Sequence, residues 1–248
     1  HRWQGGEVVN AILLIARREL AAYLRTMSGY VIIASVLLLD GLFFTAYALK
    51  SNSTPSAEVL SSFFFISSGF TITCSVFLSM RLLAEERQTG TIQLLYSSPV
   101  TDAEIVVGKY LSALGFLAVF LLASFYMPAI VMAYGKVSFG HLLAGYFGLL
   151  LVGSMALAVG TFGSALTSSQ VLAAILSGVM VVALTVAWLM AAVTDRPLTD
   201  AVQSLAWYSH FKPFQDGLVQ LKHVAYFALV TYVALFAATR VLESRRWR

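Results

Sequence analysis

The chain has 248 residues, 59% hydrophobic and only 11% charged, with a formal net charge of +4. A soluble domain carries roughly 25% charged residues, and so few charges cannot coat a globule this apolar. Composition therefore argues against a water-soluble enzyme, a nucleic-acid-binding module or a disordered chain, and the single cysteine, Cys74, excludes a disulfide framework or a multi-cysteine metal site.

Residues 7–28 come before the first apolar run. At 100° per residue, Ile12, Leu13, Ala16, Leu20, Tyr23, Leu24 and Met27 share one third of the helical circle, with Arg18 and Arg25 opposite. This is the pattern of an amphipathic helix lying in the membrane interface, with Arg17, Arg18 and Arg25 toward the headgroups. A membrane-proximal helix packed on protein is the alternative.

About 20 apolar residues cross the bilayer core as a helix. Six runs read as spans: 30–49, 59–83, 109–135, 141–166, 171–193 and 223–242. The fourth and fifth come from one uncharged stretch that divides at the polar cluster Thr167-Ser168-Ser169-Gln170. No run shows the alternation of a barrel strand. Residues 1–248 thus read as one transmembrane domain of an all-α polytopic membrane protein with six transmembrane helices. An even span count puts both termini on one side. Eleven of the 16 Lys and Arg residues fall on that side, which makes it cytoplasmic. The small positive charge then reports topology and not a nucleic-acid partner.

Asp40 is the one ionisable group inside a predicted span. Such groups are costly in lipid and face protein or water. Asp40 can bond a serine of a neighbouring helix, line a translocation path or carry a proton. The lack of other mid-membrane charges argues against an ion-driven transporter. Pro128 predicts a kink in the third span, with Ser124 meeting the freed carbonyl.

The loop over 84–108 is the most informative stretch. Gly90 suits a helix stop, because glycine takes the left-handed conformation at low cost. Thr101 and Glu104 have the spacing of a capping box, Val100 and Ile105 that of a hydrophobic staple, and Pro99 bars continuation from the preceding turn. The reading is a helix, a stop, a short turn and a capped helix that starts at Asp102 and runs into the third span. A stiff elbow of this kind suits a docking element; an ordinary capped connector is the plainer alternative. The later loop, 194–222, carries Trp207, Tyr208, Phe211 and Phe214, with Thr199 as an N-cap for a helix from Asp200. Two short helices dipping into the outer leaflet are expected there, as anchors or as a gate.

Catalytic patterns are missing. No pair among His1, His141, His210 and His223 has the spacing of a zinc-binding helix, Gly153-Ser154 lacks a histidine within a span, and no phosphate-binding lysine motif occurs. The chain offers no catalytic residue, no metal site and no nucleotide site of its own.

The run E-E-R-x-x-G-T-I-x-L-L-x-S-S-P-V-T-x-x-E-I-V-x-G-K-Y, from Glu85 to Tyr110, resembles the membrane subunit of type-2 ABC transporters, in particular the bacterial gliding-motility permease group. Arg18-Glu19-Leu20 with Tyr23 resembles that family's entry helix, and His210-Phe211 through Leu218 with Tyr226 its last external segment. The resemblance implies an export-type permease that forms the translocation path and pairs with a second permease copy, as a homodimer or with a related subunit. It implies two separate ABC ATPase subunits holding ATP and Mg, with no cofactor in this chain, no nucleic acid, and room for a further accessory subunit. Residues 7–28 become the interfacial elbow helix and the loop between spans 2 and 3 the cytoplasmic coupling helix. Ser98, Pro99, Val100, Thr101, Asp102 and Glu104 would then lie in or near the ATPase contact, and Glu85, Glu86, Arg87, Gly90 and Thr91 would shape its hinge. The expected location is the bacterial cytoplasmic (inner) membrane, with lipid as a partner along its length. A stand-alone secondary transporter or channel is the first alternative and an intramembrane enzyme the second.

Overall fold

A computed structural model describes residues 5–48, 56–90, 100–135, 137–193 and 204–246. The described elements are helices: α1 (Gly5–Arg25), α2 (Met27–Phe43, with a π-helical turn Phe44–Ala48), α3 (Ser56–Leu82), α4 (Ala84–Thr89), α5 (Asp102–Ser124), α6 (Tyr126–Tyr134), α7 (Phe139–Leu166), α8 (Gln170–Val193), α9 (Trp207–Gln215) and α10 (Leu221–Arg246). Among the described residues five segments are long and apolar enough to cross a membrane: Gly29–Ala46, Ser56–Thr89, Asp102–Ala133, Phe139–Leu166 and Leu221–Arg245. The run expected at 171–193 forms α8, whose apolar portion Gln170–Val186 is shorter than the other five.

The centre of the bundle is α7, which packs on α3, α5, α8, α9 and α10. Its seam with α3 is made of small residues. Thr71, Ser75 and Ser79 recur every fourth residue on α3, are fully buried, and face the α7 glycines. Ser75 Oγ donates to Thr71 O at 2.8 Å and lies 3.2 Å from Gly153 O. From α8, Ser177 Oγ donates to Gly160 O at 3.1 Å. A Cβ on Gly160 would overlap the Ser79 hydroxyl, and one on Gly145 would overlap the Phe64 ring. Lipid supplies no hydrophobic drive between helices, so close backbone approach of this kind is what holds them.

The third span is broken as expected, but the hydrogen bonding differs. Proline lacks the N–H that would reach the Ser124 carbonyl. α5 ends at Ser124, Phe125 N donates to Leu122 O at 3.2 Å, and α6 restarts with Pro128 in its first turn. The Ser124 hydroxyl does not meet its own freed carbonyl. It donates to Leu121 O at 2.8 Å and contacts Tyr146 Oη at 3.1 Å.

α1 stops at Arg25, three residues before the expected end, and turns at Thr26. It lies along α5: Ile15 sits over Gly108, Leu20 over Gly115, and the Tyr23 ring is 5.5 Å from Phe116. The inward stripe is rotated from the expected one. Ile15 and Glu19 belong to it, whereas Leu13 and Met27 are exposed. Arg17, Arg18 and Arg25 are exposed as well, so the helix packs on protein along one side and leaves the other free.

At the opposite end of the bundle, α9 carries the aromatic cluster. Trp207, Phe211 and Phe214 are buried on α7 and α8, so these rings fill a protein core and do not project into an interface. The helix expected from Asp200 starts outside the described residues.

Candidate functional site

The loop motif can be followed from the end of α3. There the helix breaks at Leu83, and the two amides freed by the break, of Leu83 and Ala84, donate to Ser164 Oγ on α7 at 3.2 and 3.0 Å. Ser164 Oγ donates in turn to Met80 O at 3.3 Å. One hydroxyl thus satisfies the break, as buried backbone groups require. Arg81 spans it with two parallel bonds to Glu85, 2.9 and 3.0 Å long. α4 then closes on Gly90, whose φ of 74° is left-handed and whose N–H donates to Arg87 O at 3.3 Å.

Arg87 ties α4 to the end of α7, donating to Ala165 O and to Thr167 O. Arg245, near the end of α10, donates to Leu166 O at 2.6 Å. Two guanidinium groups therefore meet the carbonyls at the C-terminus of α7, where the helix dipole favours positive charge.

On the far side of the undescribed segment 91–99, α5 opens with the expected capping box. Glu104 N donates to Thr101 Oγ1 at 3.3 Å, and Thr101 N donates to Glu104 Oε2 at 2.7 Å. Val100 is half-buried and Thr101 exposed, but Asp102 and Glu104 are buried at 6% and 7% exposure. Those two carboxylates are buried, whereas Thr101, Gln88, Thr89 and Gly90 are exposed. Thr91, Ser98 and Pro99 lie outside the described residues. α5 runs unbroken through Gly108, so the capped start and the span are one rod.

One turn further along α5, Lys109 joins three elements. Its side chain is 3% exposed, and Nζ lies 2.8 Å from Glu86 Oε1 on α4 and 3.6 Å from Glu19 Oε1 on α1. Arg18 Nη2 adds a 2.8 Å contact to the same Glu19 oxygen. Burial pushes the Glu19 carboxyl up, but Lys109 and Arg18 more than reverse this and hold it below the usual carboxylate value. A cleft of about 340 Å³ opens beside the cluster, lined by Glu19, Tyr23, Arg81, Glu85, Glu86 and Lys109.

The structure thus brings Glu85, Glu86, Arg87 and Gly90 to the same end of the bundle as Val100, Thr101, Asp102 and Glu104. It adds Glu19, Ser164, Thr167 and Arg245, which the sequence motif does not mark. Glu19 left a faint trace in the run Arg18-Glu19-Leu20 of the entry-helix resemblance. Asp40 lies apart, fully buried in α2, with Ser67 Oγ from α3 at 3.0 Å from both carboxylate oxygens. That is the serine bond from a neighbouring helix.

Over residues 13–242 the chain matches the ABC-2 family transporter proteins. The chain belongs to this family. No curated protein matches it. As an ABC-2 protein it is a permease-type membrane subunit of an ABC transporter, not a nucleotide-binding domain, and its apolar helices make it multi-pass. The matched region includes α3 to α5 and the charged cluster between them.

Proposed function

We propose that this ABC-2 protein is the membrane-spanning subunit of an ATP-driven exporter, and that the segment from Glu85 to Glu104 couples it to two separate ATPase subunits that hold ATP and Mg. The observation that carries this reading is Lys109. Its buried ammonium binds carboxylates from α1 and α4 while its own helix, α5, begins at the capped end of the same segment. A push on the open surface around Gln88–Gly90 and Thr101 is delivered to α3 through the Arg81–Glu85 pair and the Ser164 bonds. It reaches α7 through Arg87, and α1 through Lys109 and Glu19. Stiff levers of this type turn a local closure into a rigid-body shift of spans.

In this reading α8 is a sixth span, both termini are cytoplasmic, and the membrane is the bacterial inner membrane. The path follows two cavities of about 410 and 640 Å³ that share Phe43, Phe65 and Ile66, with a second permease copy supplying the other wall. The test is the Thr101→Ala/Glu104→Ala double variant, reconstituted with its ATPase. Insertion is expected to be normal and substrate-stimulated ATP hydrolysis to fall severalfold. Unaltered stimulation would overturn the assignment of this segment.

A further inference from the structure

At the other end of the molecule two histidines meet, one from α9 and one from the start of α10. His210 Nδ1 lies 2.9 Å from His223 Nδ1, and His210 Nε2 lies 3.1 Å from Ser204 O. The Tyr226 ring is stacked on His210 with centroids 3.9 Å apart and planes 12° from parallel, and Tyr226 Oη donates to Leu205 O at 2.6 Å. His223 is 7% exposed.

These contacts assign the protons. A carbonyl only accepts, so His210 Nε2 carries hydrogen. The neutral His210 ring then offers a lone pair at Nδ1, and His223 must donate to it through Nδ1–H, leaving its own Nε2 bare. A first added proton can go to His223 Nε2, and the Nδ1–H···Nδ1 bond becomes charge-assisted. A second proton has only His210 Nδ1 to occupy. It would set N–H against N–H at hydrogen-bond distance between two cations.

We propose that His210 and His223 form an acid-sensitive latch, which holds α9 on α10 while they share the Nδ1 proton and releases it when both rings are charged. The surrounding charges point the same way. Lys222, the residue before His223, adds like charge beside the pair. Lys212 on α9 and Asp216 just past its end are the other charged groups there, with Tyr208 beside Asp216. On α7, His141 Nε2 is engaged with Gln215 O at 2.7 Å. Among the described residues no carboxylate is bonded to either ring.

Release on this side leaves the other anchors of α9 in place: Trp207 Nε1 donates to Thr185 Oγ1 at 3.1 Å, and Gln215 Nε2 donates to Ser61 O at 2.6 Å. The helix would swing about α3 and α8. Trp207, Tyr208 and Gln215 border the cavities described above. That the swing gates a path rests on the proposed function, whereas the latch itself does not.

The test uses the full chain alone in nanodiscs with ¹⁵N-labelled histidine. At neutral pH the His223 ring is expected to be the Nδ1–H tautomer and the His210 ring the Nε2–H tautomer, titrating in two coupled steps. Backbone amide exchange over 207–215, corrected for its intrinsic pH dependence, is expected to rise about tenfold between neutral pH and a pH of about 4.5. In His223→Gln the amide donates to His210 when that ring is neutral and accepts from it when charged, and the rise should vanish. Identical tautomers, independent titration of the two rings, or a rise that persists in His223→Gln would overturn the latch. Should that variant not fold, the tautomers of the native chain decide the matter. No ATPase is present, so failure here says nothing about coupling.

Discussion

Where α3 passes α7 inside the span, it does so with hydroxyls against glycines. Where it reaches α4, its contacts are guanidinium, carboxylate and ammonium groups on long side chains. In the first region a single added Cβ on Gly160 collides with Ser79, so the two helices have no slack and must move together. In the second, Arg81, Arg87 and Lys109 each have several rotatable bonds and more than one acceptor within reach. The seam is suited to transmit motion and the cluster to receive it, with the break at Leu83 between them.

The largest effect should come from attacking the seam. Gly160→Val drives a branched side chain into Ser79 on α3, at a cost of about 3 kcal/mol or more, the upper end of overpacking. It is expected to lower the thermal midpoint sharply and reduce the folded yield on size-exclusion chromatography. A native midpoint would show that the seam is loose.

Next comes the cluster. Lys109→Met takes the shared cation from Glu19 and Glu86 but leaves Arg18 on Glu19, and since neither carboxylate is fully buried the cost falls to about 1–2 kcal/mol, below that of a fully buried broken pair. Adding Glu19→Gln and Glu86→Gln should recover most of that stability in a thermal melt. Coupling to ATP hydrolysis should stay impaired, because the tie between α1, α4 and α5 is still missing. Full recovery of coupling would place transmission elsewhere.

Thr101→Ala removes an N-cap worth about 1 kcal/mol. Its stability effect is smaller, so a disproportionate loss of substrate-stimulated hydrolysis would mark the α5 start as functional and not merely structural.

The smallest effect is on acid stability. Glu19 has its folded pKa held below the ordinary value of 4.5, so its contribution is complete above that value and is lost as pH falls through the folded one. Glu19→Gln should therefore flatten the stability curve below about pH 5 and lower the plateau above it. An identical acid limb in both proteins would remove Glu19 from the network.

Much of the fold was legible because lipid imposes it. Apolar runs must become helices to satisfy their backbone, and Thr101–Glu104 and Gly90 act through bonds within four residues. What could not be read is what depends on distant partners. Ser164 receives amides some 80 residues earlier in the chain, and Glu19 finds Lys109 across two helices. The aromatic residues of α9 have a composition that fits a lipid interface and a protein core equally, and only packing on α7 and α8 separates the two. The stripe on α1 came out rotated because Ile15 seats on Gly108 and Glu19 pairs with Lys109, contacts with α5 that a hydrophobicity pattern does not contain.

The central claim is that the ATPase meets this chain between α4 and α5. A photo-crosslinking residue placed at Gln88 or at Thr101, both exposed, tests it in the assembled transporter, with exposed Leu229 within the apolar segment of α10 as the control. The account predicts covalent adducts to an ATPase subunit from Gln88 and Thr101 and none from Leu229. An ATPase that copurifies with the chain yet forms no adduct at either position would contradict it.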